Sequence, residues 1–296
     1  MRVWTLVGAC AGRLLVLIVT TVAAMGLAVA APAHAADGAG VRYVALGDSR
    51  AAGPTITSSF NADGCGRSGG GYPERVARAL RPASFTDVAC VGAKTADVVD
   101  SPQRTSLPVA RTVSVQADAL RRDTDLVTLS IGGNDIGWGG LISPCFGLSP
   151  QTDVHCRSDS ALRAQMTARF AALSVSVDHV LRVISERSPN ARVFVVGHGG
   201  YYGLRGCFPD ANLSAADAPF VRDFFRRFDA VLSGSARRHG ATFVDIAGPA
   251  AGHDACAPDS QRWFTGQLPR GNGLPNHPTQ LGNAAMARLV LAAIAR

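Results

Sequence analysis

Lysine is almost missing from this chain. Among 29 basic residues only Lys94 is a lysine, and aromatic residues make up just 6%. The arginines are scattered rather than clustered. Nucleic-acid recognition asks for a basic stripe with aromatic platforms, so that class is excluded. The net charge is +7, to which Arg2 and Arg13 contribute two. It reads as a solvated basic surface with weak attraction to anionic envelopes. No C-x-x-C pair occurs, and His198, His253 and Asp254 lack ligand spacing. The expectation is therefore no metal and no cofactor. No Pro/Gly/Ser-rich linker divides the chain, and no internal repeat is visible.

Charge is also absent from Leu14 to Ala30, an almost unbroken apolar run behind Arg2 and Arg13. Ala33-His34-Ala35 follows as an A-x-A cleavage pattern. Residues 1–35 read as a secretory signal peptide, and residues 36–296 as one domain. The competing reading is an uncleaved membrane anchor. No other stretch is long and apolar enough to span a bilayer. The expected product is a secreted monomer with no stable membrane span and some envelope association.

Cys10 leaves with that leader. Cys65, Cys90, Cys145, Cys156, Cys207 and Cys256 remain. An even number in an exported chain argues for three disulfides. Sequence alone does not fix the pairing. Sequence order suggests Cys65–Cys90, Cys145–Cys156 and Cys207–Cys256.

Hydrophobic residues reach 47% and charged residues only 17%, enough for a buried core. Strand candidates run over 42–46, 85–89, 126–131, 192–196 and 242–246. Helix candidates run over 73–80, 160–187, 218–239 and 280–295. Leu162, Met166, Phe170, Leu173, Val177, Leu181 and Ile184 recur at three- and four-residue spacing. Phe220, Phe224, Phe228, Val231 and Leu232 repeat the habit. Both stripes read as core faces. Alternating strands and helices imply an α/β fold with a parallel sheet covered on both faces. Chemistry then collects at the carboxyl ends of the strands.

Four short segments sit at those ends. Gly47-Asp48-Ser49 follows the first strand and offers a hydroxyl that needs a base to become nucleophilic. Alone, it reads better as a helix N-cap. Gly92, after the second strand, lets the backbone approach a ligand with its N–H inward. Gly132-Gly133-Asn134-Asp135 follows the third. The Asn134 amide can donate to an oxyanion, although an Asx turn is an equal reading. His277-Pro278-Thr279 precedes the last helix and can reach the same crevice, or lie on the surface.

The set in this order resembles the SGNH, or GDSL-type, hydrolase family along most of the mature chain. The blocks are A-L-G-D-S-R-A-A-G (Ala45 to Gly53), A-C-V-G-A-K-T (Ala89 to Thr95), T-L-S-I-G-G-N-D-I-G (Thr128 to Gly137) and H-P-T-Q-L-G-N (His277 to Asn283). Gly252 to Cys256 looks like the cysteine-bearing segment of the secreted actinobacterial lipase and esterase branch. The six cysteines match that branch's three sequential disulfides. The resemblance implies a flavodoxin-like three-layer α/β/α sandwich with a mostly parallel five-stranded sheet. It implies Ser49 as nucleophile, His277 as base, and Ser49, Gly92 and Asn134 as oxyanion donors. The implied activity is hydrolysis of small-molecule or lipid acyl esters through an acyl-enzyme. Glycan esterase or acyltransferase activity would use the same residues. A non-catalytic binding protein would have no need of all four.

Two positions depart from the family. An acid three residues before the histidine is replaced by Leu274. The resemblance to the actinobacterial branch implies that the Leu274 carbonyl orients His277, with Asp135 and Asp254 as substitutes. Arg50 stands where relatives often carry an aromatic residue, and it is expected to face solvent. Asp48 is expected to brace the first loop. Trp138 either lines an acyl pocket or packs in the core.

Overall fold

The computed structural model describes residues 40–296, so the expected signal peptide lies outside the described residues. The chain runs β1 (Arg42–Gly47), α1 (Ser49–Ala52), α2 (Tyr72–Leu80), β2 (Ser84–Asp87), α3 (Thr95–Val99), β3 (Gln103–Arg104) and β4 (Thr112–Val113). It continues through β5 (Leu126–Ser130), α4 (Gly133–Ile136), α5 (Trp138–Ile142), α6 (Ser160–Arg187), β6 (Arg192–Val196), α7 (Ala218–Arg238), β7 (Thr242–Val244) and α8 (Gln280–Ile294).

Five strands form one parallel sheet in the order β2-β1-β5-β6-β7. Every residue of β5 is buried, as is β1 beyond Arg42. Strands buried on both faces carry mainly apolar or small residues, which is why these runs do not alternate, and the buried Thr128 hydroxyl pairs with the Tyr43 hydroxyl. α6 packs along α7, and α2 along α8, giving the three-layer α/β/α arrangement. β3 and β4 make a small separate antiparallel ribbon.

Caps fix where the long helices begin. The Asp159 carboxylate accepts from the Leu162 N–H at the start of α6, and the Thr279 hydroxyl from the Gly282 N–H at the start of α8. The apolar stripe of α6 is buried throughout. That of α7 is buried at Phe220, Phe224, Phe228 and Leu232, while Val231 is only half-buried.

The sheet order places the topological switch point between β1 and β5. In flavodoxin-like sheets the two chains leave this point in opposite directions and open a crevice. Gly47 is the hinge of that crevice. Its φ is 145°, and a Cβ there would lie 2.4 Å from the Ser130 carbonyl oxygen. Only glycine lets β1 turn so close to β5. The disulfides are Cys65–Cys90, Cys145–Cys156 and Cys207–Cys256, the pairs of sequence order. Among the described residues no helix is long and apolar enough to cross a membrane.

Candidate active site

A cleft of about 320 Å³ opens at the switch point. Ser49, Asn134 and His277 all line it, with Asp48, Arg50, Gly133, Trp138, His198, Tyr201, Pro275 and Asn276. Four chain segments far apart in sequence therefore meet in one depression.

Ser49 is the first residue of α1, and the cap is its neighbour. The Asp48 carboxylate accepts from the Arg50 N–H at 2.9 Å, and the Asp48 N–H donates to the Ser130 carbonyl at 2.9 Å. Asp48 thus does the capping that the G-D-S motif alone would assign to the serine. Burial pushes its carboxyl up to about 7, with Arg50 pulling the other way. The Ser49 hydroxyl has no hydrogen-bond partner among the described residues, and neither has the Ser49 N–H.

Gly92 follows β2 in a left-handed turn (φ 81°). Cys65–Cys90 staples this turn, and the Cys90 N–H donates to the Gly47 carbonyl at 3.0 Å. The Gly92 N–H has no acceptor among the described residues. Gly92 is not among the residues that line the cleft. The Asn134 side-chain amide donates to the Ala93 carbonyl at 2.9 Å, which fixes its plane and leaves its second N–H uncommitted. Asp135 is committed elsewhere. Its carboxylate takes the Thr95 N–H at 3.0 Å and the Thr95 hydroxyl, bracing α4 against α3.

His277 is oriented by main chain. Its Nδ1 lies 2.7 Å from the Pro275 carbonyl oxygen. That corrects the expectation for Leu274, whose carbonyl instead accepts from the Thr265 hydroxyl at 2.6 Å. The cause is Asn276, which sits at φ 57° and turns the Pro275 carbonyl back toward the ring. Asp254 accepts from the Cys256 N–H and Asp135 from Thr95, so neither carboxylate reaches the ring. Pro275 as acceptor implies that Nδ1 carries the proton and that Nε2 of the neutral ring is unprotonated. Burial lowers the His277 pKa from the ordinary 6.5, the Pro275 bond raises it, and Arg50 lowers it again.

Thr265 is a site residue that sequence reading misses. Its hydroxyl accepts from the His277 N–H at 3.0 Å while donating to the Leu274 carbonyl. Its own N–H donates to the His277 carbonyl at 3.0 Å. An isolated threonine twelve residues upstream carries no motif, so only the folded loop reveals it.

Arg50 also departs from expectation. It is 1% exposed, wedged between the rings of Tyr201 and Phe264. Trp138 both lines the cleft and packs, with its ring 5.2 Å from those of Tyr201 and Phe225. His253 stacks on Trp263 and its Nδ1 meets the Gln261 carbonyl. His198 is buried against Phe228. Among the described residues no three His, Cys, Asp or Glu side chains gather as a metal site.

A serine hydroxyl, a carbonyl-oriented histidine and an amide donor at the switch point of a flavodoxin-like sheet define a hydrolase of the SGNH type. The model of the GDSL-like Lipase/Acylhydrolase family matches residues 45–285. This chain belongs to that family and is an ester hydrolase. Lipase 2 of Streptomyces coelicolor is 36% identical over 273 residues, covering 87% of this chain and 86% of that relative. Phospholipase A1 from Streptomyces albidoflavus superposes with a TM-score of 0.67 at 28% identity, covering 87% of this chain and all of the other. The extracellular lipase of Streptomyces rimosus gives 0.65 at 28% identity, over 86% of this chain and all of the other.

Proposed function

We propose that the chain is a secreted esterase or lipase that cleaves acyl esters through an acyl-enzyme on Ser49, with His277 as base. One observation carries the reading. The groups needed for chemistry lack partners inside the protein, whereas the groups that hold them are fully engaged. The Ser49 hydroxyl, the His277 Nε2 and the N–H groups of Ser49 and Gly92 are free among the described residues. Nδ1 of His277 and one N–H of Asn134 are tied to carbonyls.

In this reading His277 Nε2 takes the Ser49 proton as Oγ attacks the ester carbonyl carbon. The carbonyl π electrons move to oxygen, where Asn134 and the two backbone N–H groups receive the charge. Collapse expels the alcohol, which leaves with the proton from His277. Water then attacks the acyl carbon and gives a proton to His277, which passes it to Ser49 Oγ as the acyl–oxygen bond breaks and the acid leaves. The Pro275 carbonyl fixes the tautomer but carries no full charge, so the site works as a dyad. Export rests on the apolar leader and three disulfides, and on the likeness to an extracellular lipase.

The purified chain should hydrolyse p-nitrophenyl esters. Ser49→Ala and His277→Ala should each lower kcat by roughly a thousandfold or more while leaving circular dichroism unchanged. A fully active, folded Ser49→Ala would contradict the mechanism. N-terminal sequencing of exported protein should begin at Ala36.

A further inference from the structure

Arg50 is a buried cation that nothing in the fold neutralises directly. Among the described residues its guanidinium makes one hydrogen bond, from Nη2 to the Gly199 carbonyl at 3.0 Å. Nε and Nη1 have no partner, and no carboxylate lies within salt-bridge distance. The ring centres of Tyr201 and Phe264 stand 5.0 and 4.8 Å from Cζ, one from each of two walls. Ring faces stabilise a cation, but an unpaired buried charge remains expensive. An apolar residue would fill this space more favourably unless the charge or the fork is used.

The single acceptor has its own anchor. The Gly199 N–H donates to Asp229 Oδ2 at 3.1 Å, and the His198 N–H to Asp229 Oδ1 at 2.5 Å. Gly199 therefore meets an α7 carboxylate at its amide and the α1 guanidinium at its carbonyl. A Cβ there would fall 2.5 Å from the Ala247 Cβ and 2.7 Å from Asp229 Oδ2, so only glycine fits the clamp. His198 and Tyr201, on the same loop, line the cleft. Phe264 immediately precedes Thr265, which holds His277. Arg50 thus joins the helix of Ser49, the loop after β6 and the loop of His277.

We propose that Arg50 is a positioning residue of the hydrolytic site, locking both loops onto the Ser49 helix and holding an unpaired positive charge at the cleft that His277 lines. This rests on the reading of His277 as base. The titratable groups that face Arg50 are Asp48 at the α1 cap, Asp229 on α7, His198 and Tyr201 after β6, Tyr72 on α2, and His277. Burial pushes Asp48 up to about 7 and Asp229 to about 6. Both lose their negative charge as the pH falls through those values. The field of Arg50 is then less opposed in the acid range, where His277 would otherwise gain its proton. The Arg50 charge lowers the pKa of both His277 and His198, adding to their burial.

The test measures kcat/KM against pH on a neutral p-nitrophenyl ester, for wild type, Arg50→Met and Arg50→Lys. Wild type should lose activity with a midpoint below about 6.5. Arg50→Met should move that acid midpoint up by about half a pH unit or more. Arg50→Lys keeps the charge but not the planar fork, so its midpoint should stay near wild type while kcat falls. KM should change little in both, because Arg50 is almost fully buried and offers a substrate hardly any surface. A purely structural role would lower kcat equally at every pH, and an unshifted Arg50→Met midpoint overturns the proposal. The same substitutions in the Ser49→Ala background, followed by NMR titration of the His277 ring, read the charge effect without turnover. His277→Ala tests the base reading separately. If Arg50→Met does not fold, ring titrations in Ser49→Ala with Arg50 and with Arg50→Gln decide. A midpoint at or above the ordinary histidine value overturns the proposal, and a lower one in Ser49→Ala that rises in Arg50→Gln supports it.

Discussion

His277 depends on two neighbours, the carbonyl of Pro275 and the hydroxyl of Thr265, that its own motif does not contain. Removing the Thr265 hydroxyl releases both the His277 N–H and the Leu274 carbonyl. Thr265→Val should therefore reduce kcat by about tenfold to a hundredfold with KM little changed, since a small displacement of the base is enough. Steady-state kinetics on one ester checks this, and an unchanged kcat would show that the loop holds its shape without the hydroxyl. Asn134→Ala should cost roughly a hundredfold to a thousandfold in kcat by removing a proposed oxyanion donor. Asp254→Asn should stay within about threefold of wild type, because that carboxylate serves the Cys256 N–H rather than the histidine.

Residue types at strand ends were readable from the chain alone, because a serine, two glycine turns and an asparagine after apolar runs keep a fixed order. Which carbonyl meets Nδ1 was not. That choice turns on the left-handed backbone of Asn276, and asparagine adopts that conformation only in some contexts. The burial of Arg50 was equally hidden, since an arginine after a half-buried serine has no apolar pattern to mark it.

At the scale of elements, α6 and α7 declare themselves because a 28- or 21-residue helix repeats its apolar stripe many times. α3, α4 and α5 span only four or five residues and cannot show a period. Their bends come from glycines with positive φ, Gly132 at 108° and Gly137 at 56°, whose geometry depends on what they pack against. α8 carries a sharper constraint. A Cβ at Gly282 would lie 1.9 Å from the Trp263 carbonyl oxygen, in the first turn after the His277 loop. Gly282→Ala must push α8 away from that loop. It should destabilise by about 1–3 kcal/mol and lower kcat in the same variant. A wild-type melting temperature would show that the helix start is free to move.

For the whole molecule, the disulfides and the buried acids set opposite kinds of sensitivity. The disulfides close loops of 11 to 49 residues and contribute about 3–4 kcal/mol each in the chain-entropy picture. Reduction should lower the melting temperature by about 10 °C or more. An unchanged curve would mean that the packing alone holds the loops. Asp48 and Asp229 titrate near 7 and 6 in the native state, well above their unfolded value of 3.8. Above pH 7 both are ionised in native and unfolded chains alike, and burying those charges is unfavourable. As the pH falls toward 6.5 the native state takes up protons that the unfolded state does not, so stability rises. Below about 6.5 His198 and His277, lowered by burial, oppose the trend, because the unfolded chain then protonates first. The melting temperature should therefore climb between pH 8 and 6.5, and Asp48→Asn should flatten the climb. A fall over that window would contradict the burial of these carboxylates.

The central claim is that Ser49 forms the covalent intermediate. An alkyl p-nitrophenyl phosphonate probes it directly. The serine oxygen bonds to phosphorus and p-nitrophenolate leaves, giving a stable stand-in for the acyl-enzyme. Intact and peptide mass spectrometry then locate the adduct. One equivalent of nitrophenolate and a single adduct on Ser49 are expected, with labelling strongly slowed in His277→Ala. Complete inactivation with the adduct on any other residue would contradict it.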